Sequence, residues 1–440
     1  MVSEYERLRK EKIARNLQMM EEMGLKSSAT AFKRRVAEAK TAPVKRAKTA
    51  PVPAGPRRTS ARLQGKEAAT FSDVKLSPTK SLRTHSDTDA SDVTSLPTEA
   101  LGGLVGDDDE AVVVPPLEDA KYTLDNLDVE KVTPSRIYAI ACHPSTSTGK
   151  VLSAIADVDG NLTLWSVPVD RASQTENTIV SWRPHKQAIS SVHFEAKSLL
   201  ASCFDGSISQ YDLESKKFTS VYTSDSAVLY VDPTEPNALL GCDETGHVFI
   251  VDRRAARQTA SWELHEKKIN TVHRQPGSPN TFATASLDRT VCIWDARKPA
   301  TAIATLPHHR SINCAYFSPN GEALVTVGQD DFVHVYEMPA TDRPTTRFAH
   351  NNQTGRWLTK FHAHWDPKCI DRPRYVLAST AQPRCVEIFG VDSKRPLQRL
   401  AHDELFRSIH SMNTFHPTID VIVGGNSSGR AVVWRGTSAE

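Results

Sequence analysis

Residues 281–295 read Thr-Phe-Ala-Thr-Ala-Ser-Leu-Asp-Arg-Thr-Val-Cys-Ile-Trp-Asp, an apolar run, a polar turn and a second apolar run that ends in Trp294. In this stretch the turn residue Asp288 precedes Trp294 by six positions. The same spacing recurs at Asp159…Trp165, Asp205…Tyr211, Thr245…Val251, Asp330…Tyr336, Ser428…Trp434 and, in a poorer copy, Pro383…Phe389. Successive copies lie about 40 to 53 residues apart, and self-similarity at such a period indicates a repeat architecture.

The period and the dipeptide Trp294-Asp295 are typical of a WD-repeat β-propeller. Seven copies predict seven blades, so we expect an all-β fold in which residues 121–440 form one closed wheel of four-stranded sheets. Propellers usually serve as binding platforms, and the functional question becomes which partner binds and on which face.

The formal net charge of +2 conceals a strong separation of charge along the 440 residues. Residues 1–70 carry 17 Lys and Arg against 7 Asp and Glu, whereas residues 71–130 carry 4 against 14. A basic tail, an acidic linker and a nearly neutral globule follow one another, and such tails are often interaction arms.

The N-terminal third is expected to contain one helix and a long disordered segment. Residues 1–25 form the predicted helix, which begins with a Ser3–Glu6 capping box. Residues 26–120 are rich in Ala, Thr, Ser, Pro and charge and are predicted to be disordered. Lys45, Arg46 and Lys48 have the form of a short nuclear import signal, which predicts a nuclear protein; the alternative is a solvated flexible tail.

The cysteine pattern and the hydropathy exclude several classes of protein. The seven cysteines are scattered and form no C-x-x-C pair, so we expect reduced core thiols of an intracellular protein. The N-terminus has no apolar core of a signal peptide. The sequence contains no run of about 18 apolar residues, so no membrane span is predicted.

No catalytic constellation is predicted, and neither a cofactor nor a metal site is expected. Gly425–Gly429 fits the G-x-S-x-G pattern, but Ser428 occupies a hairpin turn rather than the strand-to-helix turn that a nucleophile needs. His265, Thr284, Asp288 and Trp294 have the spacing of the buried hydrogen-bonded tetrad of a propeller blade. Other blades are led by single, widely separated histidines, which indicates core residues rather than metal ligands; these are His185, His309, His350 and His402.

Basic residues recur where the chain approaches the innermost strand of successive blades. This cationic ring is predicted to surround one mouth of the central channel and to suit nucleic-acid phosphates. The alternative is ordinary surface charge. Its members are Arg136, Lys186, Lys267, Lys268, Arg310 and Arg407.

Two Asp-x-Arg motifs follow the third strands of neighbouring blades, on the face opposite the cationic ring. Asp252 with Arg254 and Asp295 with Arg297 are candidates to bind carboxylates of a partner protein. The alternative for each motif is an internal salt bridge.

Several of these stretches resemble the WD repeat-containing protein 76 family, whose fungal members are called changed-mutation-rate or DNA damage-binding WD proteins. The most specific is His350-Asn-Asn-Gln-Thr-Gly-Arg-Trp-Leu-Thr359 in blade 6. Further similar stretches are Thr133–Tyr138, Ala285–Thr290, Phe415–Thr418 and Gly424–Gly429.

The resemblance implies a DNA contact and a protein contact. In the related small subunit of the damaged-DNA-binding heterodimer, a blade 6 hairpin inserts a three-residue wedge, which corresponds here to Gly355, Arg356 and Trp357. Arg356 would hold phosphate and Trp357 would stack or intercalate. Gly355 stands where that wedge has phenylalanine, a departure that bears on lesion-specific base extrusion but not on general DNA binding. The two Asp-x-Arg motifs are similar to those that dock propellers on the adaptor of cullin-RING ubiquitin ligases.

The sequence therefore predicts a non-enzymatic nuclear protein that binds double-stranded DNA in the DNA damage response, with chromatin proteins as further partners. The alternative is a substrate receptor of a cullin-RING ubiquitin ligase. A plain assembly scaffold is a third possibility.

Overall fold

The computed structural model describes residues 82–85, 113–115, 120–171, 176–195, 197–215, 217–235, 237–340 and 343–437. The predicted helix over residues 1–25, the import signal Lys45, Arg46 and Lys48, and most of the segment 26–120 lie outside these residues.

The predicted seven-bladed β-propeller is confirmed. Within the described residues the regular structure is β-strand, with one short 3₁₀ helix at Asn126–Asp128 and no α-helix. Three strands precede the first blade: β1 (Leu82–His85), β2 (Lys121–Thr123) and β3 (Val129–Lys131).

Each blade is an antiparallel meander whose first strand lies innermost. Blade 1 contains β4 (Ile137–Cys142), β5 (Lys150–Asp157), β6 (Leu162–Pro168) and β7 (Thr178–Trp182). Blade 2 contains β8 (Ile189–Glu195), β9 (Ser198–Cys203), β10 (Ser207–Asp212) and β11 (Lys217–Thr223). Blade 3 contains β12 (Val228–Glu235), β13 (Ala238–Asp243), β14 (His247–Asp252) and β15 (Arg257–Glu263). Blade 4 contains β16 (Ile269–Gln275), β17 (Ser278–Ser286), β18 (Thr290–Asp295) and β19 (Ala304–Pro307).

Blade 5 contains β20 (Ile312–Phe317), β21 (Ala323–Gly328), β22 (Phe332–Glu337) and β23 (Thr346–Ala349). Blade 6 contains β24 (His364–Trp365), β25 (Arg374–Ala378), β26 (Val386–Gly390) and β27 (Gln398–Leu400). Blade 7 contains β28 (Met412–Phe415), β29 (Val421–Gly425) and β30 (Arg430–Thr437).

The hydrophobic core lies between neighbouring blades. Strands in the middle of a blade are buried on both faces, as in β21, where all six residues are buried. The outer strand β11 instead mixes exposed and buried positions, because solvent covers its outer side. One core cluster joins Ala283 and Ile293 of blade 4 to Phe317 and Leu324 of blade 5, so each blade buries its face against the next.

The predicted tetrad of blade 4 is confirmed. His265 Nδ1 lies 2.6 Å from Asp288 Oδ2, and His265 Nε2 lies 2.6 Å from Thr284 Oγ1. The indole Nε1 of Trp294 donates to the same Thr284 oxygen at 2.9 Å. The network joins the segment before β16 to β17, to the following turn and to β18, so it fixes the register of the blade.

The wheel closes because the start of the domain completes its last blade. Strands β2 and β3 both pair antiparallel with β30 of blade 7. Between them Asp128 is fully buried and accepts hydrogen bonds from Arg435 Nε and Nη2 at 2.9 to 3.1 Å and from Arg171 Nη2. Arg435 also donates to Pro168 O at 2.8 Å and to Val169 O at 2.6 Å, which connects blade 7 to blade 1.

A second buried charge network connects blades 6 and 7. Lys368 Nζ lies 2.7 Å from Asp366 Oδ1 and donates to His416 O at 3.0 Å. Arg374 lies between Asp366 and Asp420, at 2.9 and 3.2 Å. Two cations and two carboxylates compensate one another, which removes most of the cost of burying each charge.

Strand β1 adds a fifth strand to blade 1 by pairing in parallel with β7, from Leu82 opposite Thr178 to His85 opposite Ser181. These four residues lie inside segment 26–120, which we expected to be disordered. The outer edge of a blade offers unpaired backbone groups to an extended segment that reaches it.

Removal of the Arg435 guanidinium is predicted to weaken closure strongly. The Arg435→Met variant leaves Asp128 buried with one fewer cation, and loss of one partner from a buried pair costs about 3 kcal/mol or more. Thermal and urea unfolding of the purified protein measure the change. The matched control is Arg297→Met, which removes a surface ion pair whose arginine side chain is 69% exposed and should leave the melting temperature nearly unchanged. Equal stabilities of the two variants would contradict the role assigned to Asp128.

Candidate functional site: the channel mouth and the blade 6 loop

The strand topology separates the two predicted sites. In an antiparallel meander the start of the first strand and the end of the third strand lie at opposite ends of the sheet. The cationic ring precedes the first strands, whereas Asp252–Arg254 and Asp295–Arg297 follow the third strands β14 and β18. The two sets of residues therefore lie on opposite faces of the wheel.

The loop of residues 351–363, called the blade 6 loop below, is held at both of its ends. At the blade 5 side, Asn352 is fully buried and donates through Nδ2 to Gly328 O at 2.9 Å. At the other side, Thr359 Oγ1 donates to Ile137 O of blade 1 at 2.6 Å. Phe361 is fully buried in the core between blades 5 and 6. A loop anchored in this way presents its middle in a fixed position.

The middle of the blade 6 loop is exposed. Trp357 is 72% exposed, the largest value for any tryptophan among the described residues. The guanidinium carbon of Arg356 lies 4.6 Å from the centre of the Trp357 ring, in cation–π geometry. Gly355 has φ +58°, and a Cβ atom there would meet nothing within 4 Å, so the backbone conformation rather than lack of space favours glycine.

The side chain of Arg136 is engaged in a hydrogen bond within the protein and supports the blade 6 loop. This side chain is partly buried, and Nη1 donates to the backbone oxygen of Arg356 at 2.7 Å. The structure thus brings together two predicted residues that are 220 positions apart, but the Arg136 guanidinium holds the backbone of Arg356.

The other members of the cationic ring lie at the same face. Lys186, Lys267 and Arg310 are exposed in the segments that lead into β8, β16 and β20. Lys268 is partly buried beside Lys267. Arg407 is exposed and donates through Nε to Asp403 O at 3.3 Å.

Three basic residues of this face were missed by the sequence analysis. Burial and the neighbouring Lys268 lower the pKa of Lys360, in the blade 6 loop, to about 8. Arg183 is exposed and donates to Asp159 O at 2.8 Å, and Arg289 is exposed in the turn between β17 and β18. The turns between the second and third strands of the blades also lie on this face. The repeat spacing locates these turns in the sequence, so it could have identified Arg289.

Acidic residues also lie on this face, so its charge is mixed. Asp159, Glu244 and Glu266 are exposed in the turns and connections around the channel mouth. The basic residues are therefore separated by carboxylates over part of the ring. The blade 6 loop contributes Arg356 and Lys360 and no acid, which makes it the most consistently basic part of the face.

Among the described residues, a cavity between the first strands of the blades is lined by no Asp, Glu, Lys or Arg side chain. The cavity, of about 420 Å³, is lined by Tyr138, His193, Tyr230, His362 and His364 among others. Burial lowers the pKa of His193 and His364 to about 4 and that of His362 to about 3, so the three rings are uncharged at neutral pH. This cavity therefore adds no positive charge to the basic residues of the channel mouth.

The two Asp-x-Arg motifs differ in the state of their arginines. Arg297 pairs with its own Asp295 in bidentate fashion, at 3.0 Å from Nε and 2.7 Å from Nη2. Arg254 is exposed, and the backbone N–H groups of Arg254 and Ala255 donate to Asp252 Oδ1 at 2.9 and 3.2 Å. The internal salt bridge, considered above as the alternative, is thus present in the second motif.

Two blade histidines were assigned wrongly from the sequence. In blade 7, His402 is only partly buried, and its Nδ1 accepts from the N–H groups of Glu404 and Leu405 at 3.3 and 3.2 Å. In blade 5 the buried leading residue is His308, whose Nδ1 lies 3.8 Å from Asp330 Oδ2, whereas His309 is exposed. His308 Nδ1 also lies 3.0 Å from His334 Nδ1, so the expectation of widely separated histidines is wrong here. The seven cysteines are free and buried, as expected.

The seven-bladed fold and the tetrad of blade 4 define the chain as a WD-repeat β-propeller protein. The sequence pattern of the WD40 family, described as WD domain, G-beta repeat, matches residues 256–295 and 300–337. Each match covers the outer strand of one blade and the first three strands of the next, from β15 to β18 and from β19 to β22. None of the helices in the described residues is long and apolar enough to cross a membrane.

The chain is similar to WD repeat-containing protein 76 and to DNA damage-binding protein CMR1, which confirms the resemblance drawn from the motifs. It is 33% identical to WD repeat-containing protein 76 of Xenopus laevis over 71% of this chain and 55% of that protein. The mouse protein of the same name is 32% identical over 70% of this chain and 50% of its own length. DNA damage-binding protein CMR1 of Chaetomium globosum is 29% identical over 69% of this chain and 65% of that protein. The matches therefore span about half to two thirds of these relatives.

Trp357 is predicted to supply most of the fluorescence that iodide quenches. The rings of Trp165 and Trp434 are about 1% exposed, whereas Trp357 is 72% exposed. Stern–Volmer titrations compare the Trp357→Phe variant with the unchanged protein, and Trp165→Phe is the matched control. Quenching that survives in Trp357→Phe would show that the ring is packed against the protein.

Proposed function

We propose that this protein is a non-enzymatic, nuclear DNA-binding propeller that acts in the response to DNA damage. The observation that carries the proposal is the blade 6 loop, in which an exposed aromatic ring and an arginine lie side by side on a backbone fixed from two blades. The name of the CMR1 relatives, DNA damage-binding protein, supports the same function.

Phosphate binding is assigned to the exposed cations of the channel mouth. Arg310, Arg356 and Lys267 are exposed and carry charge at the same face as Lys186 and Arg407. Duplex phosphates attract such groups independently of sequence, and the release of counterions makes the affinity depend on salt. Arg136 contributes indirectly, because its guanidinium holds the backbone of Arg356.

Base contact is assigned to Trp357. In the free protein 72% of the Trp357 side chain is exposed to water, which is unfavourable for its apolar ring. Stacking on a base would remove that surface from water and so favour binding. The cation–π partner Arg356 stays beside the ring and can reach the neighbouring phosphate. With glycine at residue 355 a single ring is presented, so we expect stacking at a step that is already weakened rather than extrusion of a base from intact duplex.

Nuclear import is assigned to Lys45, Arg46 and Lys48, which lie outside the described residues. The basic tail that contains them would add affinity for DNA without sequence preference.

Charge reversal at the channel mouth is predicted to weaken DNA binding and its dependence on salt. Arg310→Glu combined with Arg356→Glu removes two phosphate contacts, and each lost contact lowers the slope of log K against log salt by about one. Fluorescence anisotropy with a labelled duplex at several salt concentrations measures both quantities.

The matched control for this double variant is Arg254→Glu with Arg297→Glu, which makes the same change of charge on the opposite face. Equal losses of affinity in the two double variants would show that overall charge, and not the channel mouth, binds DNA. Comparison of intact and lesion-containing duplexes with Trp357→Ala then tests whether the indole contributes to recognition of damage.

A second candidate function, as substrate receptor of a cullin-RING ubiquitin ligase, is favoured by the exposed arginines of the opposite face. Arg254 is exposed, and the Arg297 side chain, which forms a bidentate pair with Asp295, is 69% exposed. Guanidinium groups presented by neighbouring blades suit acidic side chains or carbonyls of an adaptor protein. The two functions use different faces and are compatible.

Arg254→Ala is predicted to reduce capture of the ligase adaptor more than Arg297→Ala does. Arg297 must first give up its pair with Asp295, whereas Arg254 is available, so the net gain on binding is larger for Arg254. Pull-down of the adaptor with each single variant and with the double variant measures the effect, with DNA affinity as the control. Full capture by a stable double variant would eliminate the receptor function.

A further inference from the structure

The third strand of blade 5 differs from that of blade 4 at several positions, and two of these differences surround the buried aspartate of the preceding turn. Phe332 of β22 stands in register with Thr290 of β18, and His334 stands in register with Cys292. In both blades the preceding turn carries an aspartate, Asp288 or Asp330, followed by a residue with positive φ. The leading histidines His265 and His308 are also equivalent.

These replacements leave the carboxylate of Asp330 without a close donor, since its remaining partners are the His308 ring, at 3.8 Å, and the N–H group of His309. In blade 4, Asp288 Oδ1 accepts from the N–H of Thr290 at 2.9 Å and from Thr290 Oγ1 at 2.6 Å, while Oδ2 lies 2.6 Å from His265 Nδ1. Phe332 has no hydroxyl to replace that of Thr290. The Asp330 side chain is only 3% exposed, and among the described residues no group makes a well-formed hydrogen bond to either of its oxygens. A buried carboxylate without a close donor destabilises the fold, and a bound cation would offset that cost.

Two imidazole nitrogens lie beside this carboxylate. His308 Nδ1 lies 3.0 Å from His334 Nδ1 and 3.8 Å from Asp330 Oδ2, and one atom from each of the three residues falls within 4.8 Å of the others. Ligands bound to zinc at about 2.0 to 2.1 Å in tetrahedral geometry are roughly 3.4 Å apart, so the three atoms need to move little.

The surroundings of His308 favour the tautomer that a metal needs. Its Nε2 lies 3.4 Å from Thr326 Oγ1, and a proton on Nε2 that is donated to this hydroxyl leaves a lone pair on Nδ1. Such an outer hydrogen bond is the usual means of orienting a histidine ligand. The His308 side chain is fully buried, which keeps competing water away.

We propose that His308, Asp330 and His334 form a metal site in blade 5 that takes Zn²⁺. Two imidazoles and one carboxylate are ligands that zinc accepts, and a fourth position remains for water. The dication would neutralise the buried carboxylate and satisfy both histidines, which replaces the hydrogen bonds that blade 4 obtains from Thr290.

The metal site lies at the base of the channel mouth. Asp331, the residue after the ligand Asp330, accepts from the N–H of Asn352 at 2.9 Å and from Gln353 Nε2 at 2.9 Å, at the start of the blade 6 loop. Arg310 follows the ligand His308 by two positions. A bound metal would therefore stiffen the base of the blade 6 loop and the segment that carries Arg310, whatever ligand this face binds.

Blade 2 contains a similar cluster that lacks the unsatisfied carboxylate. His185, Cys203 and Asp205 also bring three ligand atoms within 4.8 Å. Asp205, however, accepts from Ser207 N at 3.0 Å and from Ser207 Oγ at 2.5 Å, and burial raises the pKa of the Cys203 thiol to about 12. The carboxylate of this cluster already has hydrogen-bond donors within the protein, so the cluster serves as the control.

Metal uptake by the full-length protein tests the proposal. The protein is stripped with EDTA, dialysed against buffered Zn²⁺ and assayed for zinc by mass spectrometry, and its melting temperature is measured with and without Zn²⁺. We expect uptake of about one zinc per chain and a rise in melting temperature. Co²⁺ should give visible d–d bands without a thiolate charge-transfer band. Failure of the folded, stripped protein to take up Zn²⁺ would overturn the proposal.

Two variants locate the site. His334→Gln should weaken zinc binding by more than about 100-fold, because even loss of an outer partner costs about 10- to 100-fold. Phe332→Thr restores the hydroxyl of blade 4, gives Asp330 its missing donor and should also weaken zinc binding while preserving the fold. Asp205→Asn in blade 2 should leave uptake unchanged. Unaltered zinc affinity in folded His334→Gln would place the metal elsewhere and overturn the proposal.

Discussion

The closed wheel depends on the buried carboxylate of Asp128 and the two arginines that reach it. Arg435 comes from the last strand of blade 7 and Arg171 from the connection that follows the third strand of blade 1, so one carboxylate joins the two ends of the repeat array. A propeller without such a connection would expose the cores of its first and last blades to water. Strands β2 and β3 supply the backbone part of the same junction, since both pair with β30. Ion pairs buried in this way add specificity because their partners have no substitute elsewhere.

Closure also explains why two binding faces can coexist. Each blade has its first and third strands parallel in direction, so residues before the first strand and residues after the third strand always emerge on opposite sides. The proposed DNA contacts and the arginines of the Asp-x-Arg motifs are therefore separated by the thickness of the wheel. A duplex on one face leaves the other free, and mutations on one face need not alter the other.

The spacing of the repeat predicted the number of blades, the face on which each set of basic residues lies and the tetrad of blade 4. Residues at the same position of successive repeats have equivalent places in the fold, so no knowledge of contacts was needed. The sequence also located Arg356 and Trp357 in one loop. It could not predict that Arg136 would donate to the backbone of Arg356, since that contact joins residues 220 positions apart across the closed wheel. The pairing of Arg297 with Asp295 was an open alternative, and side-chain rotamers decide it. The identity of the blade 5 histidine was missed for a local reason, because His308 and His309 are adjacent and the strand register alone selects the first.

The contact between Arg136 and the blade 6 loop has a consequence for the maturation of the protein. Gly355, Arg356 and Trp357 are contiguous in sequence, yet Arg136 holds the backbone of Arg356, and Thr359 of the same loop donates to Ile137 O of blade 1. A newly made chain that has folded blade 6 but has not yet docked it near blade 1 would contain these residues and lack the contacts that fix the loop. The blade 6 loop would therefore reach its final shape only when the wheel closes.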